Sequence, residues 1–296
     1  MKTGREVQIH AIYSVAGDDE HFAASIASIY KQIDGITVFT GYDRDWSGTP
    51  RSSDAVVARL LSRELDPDGR VQVVIDRETN EARSRNRAMD FAAPSRRSRR
   101  VRRQSADDHA PAQPDFFLII DADEIYEDGA IDRLREFVVQ SPRKIYRVPA
   151  RRYFKTWNWR VTGYEWSISL VRADVRLPYL RRLWVPHWRR AVGRFAPSRR
   201  VRELALGYLD IPPEVAVFHH GSYVGPRSRI AAKLASFGHA HEVPDDWLER
   251  TWEKFSPDMR NFNPAYPSVY AACETVETED LPAEISDYPW PPGYLR

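Results

Sequence analysis

Short apolar, β-branched runs alternate with stretches of helical periodicity through the first half of the chain. This is the pattern of a parallel sheet flanked by helices. Residues 7–15 read as a strand, and 20–32 follow as a helix with Phe22, Ile26 and Ile29 on one face. Residues 36–40 form a second predicted strand, with the polar GYDRDWSGT at its carboxyl end. A helix over 54–64, a strand over Val71–Ile75 and a helix over 78–93 continue the alternation. Phe116–Ile120 is a solid apolar run, short enough for a strand buried on both faces. Ligands of open α/β sheets bind beyond the carboxyl ends of the strands, so the residues just after Thr40 and Ile120 carry the most interest.

The pattern then changes. Residues 145–171 are rich in Tyr, Trp, Phe, Val and Arg, which predicts antiparallel strands. Residues 181–207 mix Arg, Trp and Pro without periodicity and read as loop and short strand. Residues 215–218 make a last short strand. Pro226 suits a first helical position, and Ile230, Leu234 and Phe237 give that helix a buried stripe. A short helix over 246–254 precedes a Pro- and Tyr-rich tail of irregular structure. With 296 residues the chain is long enough for a sizeable core. The expected organisation is one α/β domain over 1–240, with 241–296 packed on it as a helix and irregular tail, and no internal repeat.

Charge changes this picture in one place. The net charge of +2 comes from 44 basic and 42 acidic side chains, and PSRRSRRVRRQSADDHAPAQP at 94–114 holds six Arg and two Asp of them, so the rest of the chain stands at −2. This insert has almost no apolar residues and cannot build a core. It reads as a solvated loop, or as a basic patch for an anionic partner such as nucleic acid, acidic lipid or a phosphorylated acceptor. The single Cys273 excludes an intramolecular disulfide and a multi-cysteine zinc site, which suits a reducing compartment or a protein indifferent to redox. No apolar run approaches the roughly 18 residues of a membrane span, and the polar MKTGREVQ start has no signal-peptide core. The expectation is a cytoplasmic protein whose membrane contact, if any, is peripheral.

Three Asp-x-Asp pairs occur, at Asp43/Asp45, Asp66/Asp68 and Asp121/Asp123, and about two are expected by chance in a chain with 24 Asp. Asp66 and Asp68, in LDPDGR, read as a turn. Asp121 and Asp123 differ in following FFLII directly, at the end of a buried strand where two carboxylates are costly unless compensated. A divalent cation is the simplest compensation, and hard oxygen ligands with open positions suit Mg²⁺ or Mn²⁺ holding a diphosphate. The alternative is that they cap the next helix. His219 and His220, in FHHG, supply an imidazole that would complete an Asp-Asp-His set for Mn²⁺, although on a strand only one of the two can face the site. Asn86 falls on the apolar stripe of Ala82, Met89 and Ala93 and needs a hydrogen-bond partner, while Arg85 beside it could reach a phosphate or a base edge. Glu165, in GYEW, is a carboxylate between aromatics that could act as general base for an acceptor hydroxyl, or pair with a neighbouring Arg.

Four blocks together resemble the family 2-type glycosyltransferases with the GT-A fold: VQIHAIYSVAGDDEHFAASIASIY, EARSRNRAMDFA, FFLIIDADEIYEDG and FHHGSYVGPRSRIAAK, in that order. The resemblance implies a GT-A-like, Rossmann-like sheet and a nucleotide-sugar donor whose diphosphate sits on a metal held by Asp121 and Asp123. It also implies that His219 completes the metal shell, with His220 at a position that is often aromatic. Arg85 and Asn86 match the Arg-Asn beside the nucleotide, Asp43 (with Asp45 as alternative) matches the acid that contacts the base or ribose, and Lys233 matches a lysine near the diphosphate. Asp18-Asp19-Glu20 departs from the family's usual Asn-Glu, and no acidic pair is evident around Glu165.

The combined reading is a metal-dependent glycosyltransferase that transfers sugar to an acceptor hydroxyl with inversion. A nucleotidyltransferase would use similar metal and carboxylate chemistry but release pyrophosphate. A non-catalytic module would bind an anionic partner through 94–114 and ignore Asp121 and Asp123.

Overall fold

In the computed structural model, residues 6–15, 19–40, 65–76, 81–93, 114–175, 207–236 and 240–295 are described. Asp43, Asp45, the predicted helix over 54–64, the Arg-rich stretch up to 113 and residues 176–206 lie outside them. In chain order, β1 (Ile9–Ser14) leads into α1 (Asp19–Ile29), and β2 (Gly35–Thr40) precedes β3 (Val71–Ile75) and α2 (Glu81–Ala92). β4 (Phe116–Ile120) is followed by β5 (Glu124–Tyr126), α3 (Ala130–Gln140), β6 (Ile145–Val161) and β7 (Glu165–Arg172). Then come β8 (Leu209–Asp210), β9 (Phe218–Val224), α4 (Arg227–Ser236), β10 (Cys273–Thr275) and α5 (Ala283–Ser286).

The sheet order is β3-β2-β1-β4-β7-β6-β9-β5, with β8 and β10 paired to β6. The pairs β3–β2, β2–β1 and β1–β4 are parallel. The apolar runs of β1, β2 and β4 are explained by burial on both faces, whereas the edge strand β3 leaves Gln72 and Ile75 exposed. Phe116, Leu118 and Ile120 point to the side covered by Phe22, Ile26 and Ile29 of α1 and by Ile131, Leu134 and Val138 of α3. Phe117 and Ile119 point to the other side, against Ala88 and Met89 of α2. This three-layer arrangement is α/β with a parallel core between helices.

Helix α3 is absent from the sequence-predicted elements, although Ile131, Leu134 and Val138 carry a helical stripe. It starts after Gly129, whose φ of 70° is left-handed and suits a residue without Cβ. Beyond β4 the sheet becomes mixed. β7 is antiparallel to both β4 and β6, and the turn between β6 and β7 passes through Gly163 at φ 80°. The antiparallel prediction for 145–171 therefore holds, but β6 also pairs in parallel with β9, which pairs antiparallel with β5. Of the predicted strand at 215–218 only Phe218 is in a strand, as the first residue of β9, which runs on to Val224; 215–217 are the turn and approach before it.

The tail packs against this mixed end. Trp157 N–H donates to the Tyr294 carbonyl at 2.9 Å, and Tyr294 stacks on Trp290, which packs in turn on Trp157. The short helix expected over 246–254 is a π-helical turn at Leu248–Trp252. Among the described residues no helix is long and apolar enough to cross a membrane.

Candidate functional site

The turn between β4 and β5 places the two aspartates. Glu124 N–H donates to the Asp121 carbonyl at 3.1 Å, and Asp121 N–H donates to Glu124 Oε2 at 3.2 Å. Ser25 on α1 donates its hydroxyl to the Glu124 carbonyl at 2.5 Å, tying the turn to the helix layer. Because β5 then pairs with β9, Gly221 N–H reaches the Asp123 carbonyl at 2.9 Å. Thus the Asp-x-Asp and the His-His-Gly segments, nearly a hundred residues apart in the chain, meet through backbone pairing.

Each carboxylate has its own cation. Asp121 pairs with Arg85, which reaches across from α2 and is itself only 2% exposed. Asp123 is buried, and Lys233 Nζ from α4 lies 3.1 Å from its Oδ2 while His220 Nε2 lies 3.3 Å from its Oδ1. Burial pushes the Asp123 carboxyl up. The charges of Lys233, His220 and Arg229, with the His220 hydrogen bond, outweigh burial and hold it well below the usual carboxylate range. For His220, burial pulls the imidazole down, and the Asp123 charge and hydrogen bond more than offset it, so the ring's pKa is raised.

The histidine that reaches Asp123 is His220, and His219 is turned to the other face. Tyr153 Oη is 2.8 Å from His219 Nδ1, and His219 Nε2 is 3.0 Å from Glu127 Oε1. That bond from His219 is the main cause of the lowered Glu127 pKa. Strand alternation explains the assignment. Phe218 is in the core beneath β4, beside Tyr126, and His220 shares its face two residues on, whereas His219 shares the face of Tyr153.

The other predicted residues fall as follows. Asn86 donates its amide to the Ala82 carbonyl at 2.8 Å, within its own helix. Arg85, not Asn86, is the deeper of the two, because its position faces the sheet and its charge is met by Asp121. Glu165 opens β7 with its side chain 50% exposed, and Arg152 Nη1 lies 3.3 Å from its Oε2, the Arg pairing weighed as the alternative to general-base work. Asp43 lies outside the described residues.

Sequence reasoning missed Arg152, Tyr223 and Tyr270. The Arg152 guanidinium lies 4.9 Å from the centre of the Tyr270 ring, and the Tyr223 and Tyr270 rings meet edge to face at 5.9 Å. Lys233 Nζ is 5.7 Å from the Tyr223 ring centre, which makes the group continuous with Asp123. Tyr270 sits in the tail, where composition carries no strand or helix signal to tie it to a site.

Among the described residues no three His, Cys, Asp or Glu side chains converge as a metal cluster. A two-ligand site does fit: the Asp123 carboxylate and the His220 imidazole face each other, and Mg²⁺ or Mn²⁺ commonly takes one or two protein ligands and completes its shell with water and substrate phosphates. Lys233 would then stand beside the cation's other ligands.

No protein-family model matches the sequence, and no curated protein matches it. Solved structures with a similar chain path include TarS from S. aureus, residues 1–349, at 12% identity and a TM-score of 0.41, the match covering 82% of this chain and 69% of that one. A second S. aureus TarS structure matches at 13% identity and a TM-score of 0.39, covering 82% of this chain and 42% of that one.

Proposed function

We propose that this chain is a metal-dependent, GT-A-type glycosyltransferase that moves a sugar from a nucleotide-sugar donor to an acceptor hydroxyl with inversion. The supporting observation is the convergence of Asp121 and Asp123, at the carboxyl end of the buried β4, with Arg85, His220 and Lys233. A buried carboxylate held ionised among cations is suited to a site that handles a diphosphate and a divalent ion.

In this reading Asp123 and His220 hold Mn²⁺ or Mg²⁺, and the bound cation supplies Lewis-acid stabilisation of the departing diphosphate. Lys233 adds a positive charge beside the phosphates. Arg85 fixes the Asp121 carboxylate, which faces the cation or the ribose, and Asn86 with Asp43 lines the nucleotide side. Glu165 takes the proton of the acceptor hydroxyl as it attacks the anomeric carbon, once substrate displaces its contact with Arg152. Residues 241–295 belong to the same catalytic unit, since they bring Tyr270 to it.

The test is hydrolysis of a panel of UDP-, GDP- and dTDP-sugars with and without Mn²⁺, read as nucleoside diphosphate release. Metal-stimulated release that falls by about 100-fold or more in Asp123→Ala supports the proposal. Release of pyrophosphate from a nucleoside triphosphate and a sugar phosphate assigns a nucleotidyltransferase instead, and an Asp123→Ala protein with wild-type turnover removes the metal assignment.

A further inference from the structure

His220 and Lys233 meet Asp123 from two different elements. His220 lies on β9, 3.3 Å from Oδ1, and Lys233 lies on α4, 3.1 Å from Oδ2. Only the turn at Gly225 and Pro226 joins the strand to the helix, so the angle at which α4 leaves β9 sets where the ammonium sits. Ile230 and Leu234 seat α4 on the aromatic cluster of Phe154, Tyr223 and Trp247. Such apolar contacts are non-directional, and they fix how close the helix lies more than how it is rotated. The directional contacts belong to Arg229. Its Nη1 donates to the Ser222 carbonyl at 3.2 Å and to the Val224 carbonyl at 2.8 Å, both on β9. A Cβ on Gly225 would lie 3.1 Å from Arg229 Cδ, so the arginine stem lies along the turn that it braces. Lys233 follows Arg229 by four residues, on the same face of the helix.

We infer that Arg229 is a positioning residue: by clamping α4 to the end of β9 it holds Lys233 at Asp123, where the ammonium meets a diphosphate. This rests on the proposed function, which sets Lys233 beside the phosphates. The role is exerted through geometry, because both Arg229 bonds go to main-chain carbonyls of the strand that carries His220. Its charge also lowers the Asp123 pKa, but less than the charges of Lys233 and His220 do. Clamp and charge separate in Arg229→Lys, which keeps the charge and ends one bond short of Nη1.

The experiment uses the full chain with inorganic pyrophosphate as the probe, and binding is measured by calorimetry with Mg²⁺ present. The proteins are wild type, Arg229→Lys, Arg229→Gln, Lys233→Met and the two double variants. Both Arg229 substitutions should raise the pyrophosphate Kd by about three- to ten-fold while Lys233 is present. In the Lys233→Met background neither should change it by more than about two-fold, since the side chain they misplace is gone. A merely structural role lowers urea stability in both backgrounds and shows no such dependence. With nucleotide sugar, Arg229→Lys should raise the donor KM with a smaller change in kcat. Wild-type affinity in Arg229→Lys, equal effects in the two backgrounds, or a wild-type protein that binds no pyrophosphate overturns the inference. Coupling to Lys233 without turnover of any nucleotide sugar leaves this role standing and removes the glycosyltransferase reading. Turnover without the coupling does the reverse.

Discussion

His219 and His220 are neighbours on β9 and serve opposite faces: His219 Nε2 is 3.0 Å from Glu127 Oε1, and His220 Nε2 is 3.3 Å from Asp123 Oδ1. The two substitutions should therefore separate. His220→Ala should raise the Mn²⁺ concentration for half-maximal donor hydrolysis by about 10- to 100-fold. His219→Ala removes the buried ring that bridges the Tyr153 hydroxyl and Glu127, which should cost about 1–3 kcal/mol of stability without a comparable shift in metal requirement. Metal titrations beside urea denaturation decide it, and the opposite assignment of effects would return His219 to the metal shell.

Lys233 and Asp123 form a pair whose carboxylate is buried while the ammonium is partly in solvent, with side-chain exposures of 10% and 25% for Asp123 and Lys233. Removing only the lysine leaves a buried carboxylate held by His220 and the charge of Arg229. Lys233→Met should destabilise the protein by about 1–3 kcal/mol, less than for a fully buried pair because solvent screens the lysine. Adding Asp123→Asn to Lys233→Met should recover part of that stability while donor hydrolysis stays lost. A double mutant no more stable than Lys233→Met would show that the carboxylate's charge is not what the lysine compensates.

The central strands and two of their three covering helices, α1 and α2, are legible in the sequence, the strands because burial on both faces leaves nothing but apolar residues in β4 and few polar ones in β1 and β2. Long-range pairing is not legible in the same way. That β9 lies between β6 and β5 is a consequence of side-chain packing around Phe218 and Tyr126, and no local pattern encodes it. The choice between the histidines could have been made from Phe218 alone, since an apolar residue fixed in the core puts the second residue after it on the same face. On α2 the stripe of Ala82 and Met89 passes as well through Arg85 as through Asn86, and the charge of Arg85 hid its burial until Asp121 was seen opposite. Tyr270 had no signal at all.

His10 gives a pH dependence remote from the site. It lies opposite Gly35 in the β1–β2 register, and its Nε2 is 2.8 Å from Thr37 Oγ1. Burial lowers its pKa to about 4 against a smaller raising effect of Asp34. The folded ring therefore holds fewer protons than the unfolded one between the ordinary histidine value of about 6.5 and about 4. Stability from this residue is complete above the upper value, falls as pH drops through the window and is flat below it, for a total of up to about 3 kcal/mol. His10→Asn should flatten this part of a urea-denaturation pH series. An unchanged slope would place the effect on other groups.

Gly221 follows His220 and is held by size rather than by backbone angle. A Cβ there would lie 2.6 Å from Trp157 Cη2 and 2.9 Å from His21 Nε2, closer than carbon atoms can sit. Neither ring can retreat easily, since both are fully buried and packed by Trp290, and His21 by Tyr294 as well. Gly221→Ala must therefore push β9 outward, against the hydrogen bond from its own amide to the Asp123 carbonyl. The cost should be about 1–3 kcal/mol. Because the displaced strand carries His220, the metal requirement for donor hydrolysis should rise as well, a coupling that destabilisation alone does not produce. Shrinking the obstructing ring in Gly221→Ala/Trp157→Phe should restore part of the metal response even though Trp157→Phe by itself leaves a cavity. A double variant with no better metal response than Gly221→Ala would mean that the ring contact is not what holds His220 against Asp123.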